Sequence, residues 1–175
     1  MPLDKAQLLD FLRIVEKELS RQITLVAVGG TALTLLDLKP STIDIDFTGP
    51  GEDVTDFKEA LRNISHGFKI DLYNDGVVFS QILPEDYLEK SIRIRQTGRI
   101  ELRSLQPLDI VVTKIGRLDD RDMRDVEACI KGHGLTKETI LSRAKQIQYV
   151  GREANYEANL RHVIGTFFRE GKKPR

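Results

Sequence analysis

Ile23-Thr24-Leu25-Val26-Ala27-Val28-Gly29-Gly30-Thr31-Ala32-Leu33-Thr34-Leu35-Leu36, followed by Ser41-Thr42-Ile43-Asp44-Ile45-Asp46-Phe47, decides the fold. An apolar run over 23–28 predicts a strand, and a helical run over 31–37 follows it directly. The glycine pair between them makes a tight strand-to-helix turn. The first N–H groups of a helix have no intrahelical partner and lie at the positive end of its dipole. Such a turn binds anions where backbone can approach the ligand, and glycine permits that approach together with positive φ. Thr31 adds a hydroxyl suited to capping the helix or donating to a phosphate oxygen. Taken alone, the turn reads first as a strand–helix connection with no ligand.

Lys39-Pro40 breaks the helix, and a strand over 43–47 follows. Side chains at i and i+2 of a strand share a face, so Asp44 and Asp46 are expected to project together while Ile43, Ile45 and Phe47 pack behind them. Two adjacent carboxylates repel unless a cation lies between them. Oxygen donors of this kind suit Mg²⁺ or Mn²⁺, although an isolated Asp-x-Asp also serves as a solvated strand edge. A later alternating run, Phe68-Lys69-Ile70-Asp71-Leu72-Tyr73, puts Phe68, Ile70 and Leu72 inward and Asp71 on the opposite face. If that strand neighbours the first, three carboxylates converge beside the glycine turn.

In this order the motifs resemble the nucleotidyltransferase superfamily of the polymerase-beta type. Gly29-Gly30-Thr31-Ala32-Leu33 with Ser41-Thr42-Ile43-Asp44-Ile45-Asp46-Phe47 is most similar to AbiEii-type toxins and related minimal prokaryotic nucleotidyltransferases. Lys114 and Arg121-Asp122-Met123-Arg124-Asp125 look like those proteins' downstream lysine and second-helix motif. The resemblance spans roughly residues 20 to 130. It departs from many relatives at Lys39-Pro40, where they place an arginine.

The resemblance implies an α+β fold: a mixed sheet as nucleotidyltransferase core over 1–105, a helical C-terminal part over 106–170, and a tail over 171–175. It implies catalytic Asp44, Asp46 and Asp71 holding two Mg²⁺ (or Mn²⁺) ions, with Gly29, Gly30, Thr31 and Lys114 on the phosphates. The expected activity is transfer of a nucleoside monophosphate from a triphosphate such as ATP to a hydroxyl of RNA, protein or a small molecule. A toxin–antitoxin setting would add an antitoxin-like partner or a homodimer. A nucleotide- or partner-binding module without turnover is the alternative.

Composition narrows the classes. The 175 residues are 40% hydrophobic and 31% charged with zero net charge, as expected of a soluble cytoplasmic globular chain with no membrane span or signal sequence. The neutrality hides an asymmetry: residues 41–90 hold eleven acids against four bases, and 137–175 nine bases against four acids. The basic stretch is read mainly as solvated helix surface. The lone Cys129 is expected in the core beside Val126 and Ile130. His66, His133 and His162 lack zinc-ligand spacing.

Further elements are expected as an N-terminal helix, a helix through residue 62, and a hairpin at Asn74-Asp75-Gly76 leading into a strand over 77–82. Strands near 91–95 and 99–103 and four C-terminal helices complete the reading. Pro107 is placed at a helix start. Leu108, Val111, Val112, Ile115 and Leu118 form an apolar stripe that leaves Lys114, Arg117 and Arg121 on a solvated face, where replacing Lys114 should barely alter stability.

Overall fold

A computed structural model describes residues 1–151 and 153–169; the expected tail lies outside them. The fold is α+β. Five strands, β1 (Ile23–Ala27), β2 (Ile45–Gly49), β3 (Ile70–Asn74), β6 (Ile92–Thr97) and β7 (Ile100–Ser104), form a mixed sheet in the order β3-β2-β1-β7-β6. β1 runs parallel to β7 and antiparallel to β2, and β2 runs parallel to β3. The parallel β2–β3 pair is joined by α3 (Gly51–Leu61), and its register sets Asp46 directly opposite Asp71.

Alternation explains the sheet's two faces. Ile45 and Phe47 of β2 are fully buried, and the Phe47 ring meets Phe57 of α3 edge-on at 5.8 Å. The opposite face carries Asp46, Thr48, Asp71 and Tyr73. Helix α1 (Lys5–Val15) starts with a reciprocal Asp4–Gln7 cap and buries Leu8, Leu9, Leu12 and Val15. Just before it, Leu3 exchanges two backbone hydrogen bonds with Thr42, pinning the loop that leads into β2. Because β2 begins only at Ile45, Ile43 lies in that loop and is 63% exposed, not packed behind the aspartates.

A second, small sheet departs from expectation. Asn74-Asp75-Gly76 does not close a hairpin; it carries the chain from the main sheet into another one, of order β4-β5-β8. The anticipated strand over 77–82 is itself a hairpin of β4 (Val77–Val78) and β5 (Gln81–Ile82) around Phe79-Ser80, completed by β8 (Gln148–Tyr149). A short α4 (Tyr87–Lys90) follows.

The C-terminal helices are α5 (Pro107–Lys114), α6 (Asp120–His133), α7 (Lys137–Ala144) and α8 (Glu153–Phe167). Helix α5 is covered on every side: Asp109 through Lys114 are all buried. Its last turn is finished from α8, where Tyr156 Oη donates to Val112 O and Asn159 Nδ2 to Ile115 O. Arg121 belongs to α6, so it does not share a helix face with Lys114. Cys129 is fully buried, and burial pushes its thiol up to about 12.

One buried ion pair locks α7 to α5. Arg143 Nε and Nη2 donate to the two carboxylate oxygens of Asp109 at 2.6 and 2.9 Å, and Nη1 reaches Asp86 at 2.8 Å. Asp109 is fully buried, so it depends on that fork. Arg143→Ala should cost about 3–5 kcal/mol in urea unfolding by stranding the Asp109 charge, and replacing both residues with apolar ones should recover most of the loss. A cost under about 1 kcal/mol would show the pair to be dispensable.

Candidate active site

The glycine turn opens α2 (Gly29–Leu35), one residue beyond the end of β1. Gly29 has φ +55°, a conformation that L side chains rarely adopt. A Cβ there would lie 3.3 Å from Phe79 Cζ and 3.6 Å from Asp46 Oδ2, so the turn, the aromatic ring and the carboxylate share one small space. Gly30 is needed for a different approach: a Cβ there would stand 2.9 Å from Thr42 Oγ1.

Those hydroxyls fasten the aspartate segment to the turn. Thr31 Oγ1 donates to Asp44 O at 3.1 Å and accepts the Asp46 N–H at 2.9 Å. Thr42 Oγ1 donates to the same Asp44 carbonyl at 2.7 Å, and Val28 N–H donates to Asp46 O at 3.1 Å. Thr31 therefore does not cap α2, whose cap position is Val28 with no side-chain hydrogen bond. Its one hydroxyl proton goes to the Asp44 carbonyl at the end of the loop leading into β2.

The three carboxylates face one region. Asp46 is 7% exposed, and its acid is pushed up to about 7, first by burial, then by the charges of Asp71 and Asp44. Lys69 and Lys114 oppose that rise. Lys69 Nζ stands 3.4 Å from Asp71 Oδ2 and 3.9 Å from Asp44 Oδ2, and both carboxylates hold its ammonium above the ordinary lysine range. Among the described residues, no three Asp, Glu, His or Cys side chains are gathered closely enough to hold a metal ion as they stand. The donor chemistry nevertheless fits a hard divalent cation: three oxygen ligands with a surplus of negative charge that one lysine only partly offsets. Asp44 and Asp71 are both half-exposed and free to turn from Lys69.

Lys114 is not on a solvated face. It is 8% exposed, with Nζ 3.0 Å from Asp122 Oδ1 and 2.9 Å from Asp125 Oδ2. Asp122, 1% exposed, also accepts two hydrogen bonds from Arg117, at 2.8 and 2.9 Å. Burial alone would raise its acid, but Arg117, Lys114 and the Asp119 N–H hold it well below the usual range. Lys39 reaches Asp125 at 3.5 Å. The second-helix motif thus meets the lysine as a neutralised cluster, close enough for Lys114 and Asp46 to feel each other's charge.

Two residues at the site were not singled out from the sequence. Tyr73 follows Asp71 by two positions, so the period of a strand would have placed it on the aspartate face. Burial, then the Asp46 and Asp71 charges, push its hydroxyl up to about 12. Phe79 meets Tyr73 edge-on at 5.1 Å; no local pattern announces an aromatic at that turn.

The Asp46 acid is raised in the fold, so the folded state holds a proton that the unfolded chain releases. Its contribution is complete below pH 4 and lost as pH rises through about 7, of order 2–4 kcal/mol. In metal-free buffer Asp46→Asn should raise Tm at pH 8 and give no gain at pH 4; a pH-independent shift would contradict the buried charge. Lys114→Ala, which leaves Asp122 to Arg117 alone and Asp125 only the more distant Lys39, should cost about 1–3 kcal/mol in urea unfolding, and a change below about 0.5 kcal/mol would return this lysine to the surface.

Residues 6–164 match the family described as nucleotidyltransferase of unknown function (DUF6036). No curated protein matches the chain. A crystal structure of a Thermotoga maritima protein, provisionally named a nucleotidyltransferase, is similar at 14% identity with a TM-score of 0.43, covering 59% of this chain and 80% of that one. The family match over residues 6–164 supports the nucleotidyltransferase superfamily and does not single out the AbiEii-type toxins. Spanning nearly the whole sequence, it shows that the chain belongs to the DUF6036 nucleotidyltransferase family.

Proposed function

We propose that the protein is a divalent-metal-dependent nucleotidyltransferase that moves a nucleoside monophosphate from a triphosphate, such as ATP, to a hydroxyl acceptor. The observation that carries this reading is the pairing of Asp46 with Asp71 across adjacent parallel strands, with Asp46 beside the Gly29 turn. Asp44, Asp46 and Asp71 would hold Mg²⁺ or Mn²⁺, two ions in the full arrangement. A bound divalent ion supplies positive charge against the triphosphate and the departing pyrophosphate.

The chain's own groups do the remaining work. Backbone N–H groups at Gly29, Gly30 and Thr31 bind phosphate oxygens, while the Thr31 side chain keeps the aspartates in place. Asp71, the more solvent-accessible of the opposed pair, accepts the acceptor's hydroxyl proton on a carboxylate oxygen. The acceptor oxygen bonds the α-phosphorus, and the bond to the β-phosphate breaks to release pyrophosphate. Lys114 contributes at short range as part of a neutralised cluster, so its pull on the leaving phosphates is weaker than that of a free ammonium. The acceptor is an RNA end, a protein side chain or a small molecule, and an antitoxin-like partner or homodimer belongs to the same proposal.

The Lys69 ammonium between Asp44 and Asp71 favours a second reading, a nucleotide-binding module without turnover. Incubation with each α-labelled triphosphate, Mg²⁺ and total RNA or lysate separates the two. Turnover predicts a labelled acceptor with released pyrophosphate, and loss of at least about 10²-fold in Asp71→Asn, whose side chain is not needed for packing. Mg²⁺-dependent nucleotide binding with no pyrophosphate would support the silent module. Neither binding nor release would overturn both.

A further inference from the structure

Phe79 and Ser80 are the two central residues of the tight β4–β5 hairpin, and both have positive φ, 47° and 63°. Hairpin turns of this form call for Asn or Gly, because a side chain crowds the backbone there. A bulky aromatic is among the least suited residues, and strain of this kind persists only where surrounding structure holds it. Here the anchors are explicit. Gln81 Nε2 donates to Thr113 O at 2.7 Å, and Val150 N–H donates to Ser80 O at 3.0 Å. Gly116 gives Gln81 its room, since a Cβ there would be 2.7 Å from Nε2. The hairpin is therefore tied to α5 and β8, and the ring's position is set by rigid backbone.

The strain delivers the Phe79 ring to one place. It lies against Gly29 at the start of the glycine turn and meets Tyr73 edge-on at 5.1 Å. Both rings are only partly buried, and Tyr73 shares the face of Asp46 and Asp71. A core filler would not need to occupy a strained turn; an aromatic surface at a fixed distance from the phosphate-binding turn would.

We infer that Phe79, backed edge-on by Tyr73, is the platform on which the base of a nucleotide stacks when its phosphates lie at the Gly29 turn. This rests on the nucleotidyltransferase reading and adds the subsite for the base. Stacking engages the π face that every base has, so the platform accepts all four nucleoside triphosphates with similar affinity. Phe79 is here a binding residue; Tyr73 positions its ring.

The chain has no tryptophan, so Phe79→Trp introduces a single fluorescent reporter at the platform. With Mg²⁺ present, ATP, GTP, CTP and UTP should each quench it, whereas tripolyphosphate, which lacks a base, should not. Phe79→Leu keeps apolar volume but removes the π face. It should weaken ATP about tenfold, the scale of one lost base stack, leave tripolyphosphate affinity unchanged, and melt near wild type. If ATP binds the Phe79→Trp protein without quenching, or if Phe79→Leu leaves the ratio of ATP to tripolyphosphate affinity unchanged, the platform is overturned and the nucleotidyltransferase reading stands. If the wild-type protein binds neither ligand, that reading fails and the platform with it.

Discussion

A single hydroxyl holds the site together. Thr31 Oγ1 accepts from Asp46 N–H and donates to Asp44 O, so one side chain from the glycine turn grips both peptide groups flanking Ile45. Thr42 adds a second donor to the same carbonyl, and Leu3 pins Thr42 from the N-terminus. Gly30 is part of this clamp, because only a residue without Cβ lets the Thr42 hydroxyl close in. The positions of the aspartates thus depend on the turn, which protein hydrogen bonds tie to the aspartate segment.

Around that clamp the charges divide into two groups with different energetics. Lys114, Asp122, Asp125, Arg117 and Lys39 form a network in which each buried charge has a partner; it fastens α5 to α6 and keeps a lysine near Asp46. Asp44, Asp46 and Asp71 are unbalanced by comparison, with one exposed lysine between two of them and a buried acid whose ionisation the fold opposes. Burying charge without compensation is costly, and such groups gather where function needs them. The same holds for the hairpin at Phe79, where backbone strain takes the place of electrostatic strain.

The sequence made much of this legible, wherever the information is local. Period-two alternation placed Asp71 opposite its apolar neighbours, and the parallel β2–β3 pairing then set it against Asp46. Pro107 stands at a helix start, and Cys129 lies in the core. The failures share a cause: they depend on what packs from elsewhere in the chain. An apolar stripe puts Lys114 on a solvated face only for a helix with one covered side, whereas α5 is covered on all sides. Ile43 fell outside its strand because Thr31, Thr42 and Leu3 hold the preceding loop. Phe79-Ser80 carries none of the residues that signal a tight hairpin, and β8 is too short to show a period.

The central claim is that the face shared by Asp44, Asp46 and Asp71 is a divalent-cation site. Mn²⁺ titration of the wild-type protein and Asp46→Asn by isothermal calorimetry, with Mn²⁺ electron paramagnetic resonance to count bound ions, tests it most directly. The wild-type protein should bind Mn²⁺ in competition with Mg²⁺, and the variant, still folded, should lose that binding. Equal Mn²⁺ affinity in the two proteins would contradict the claim.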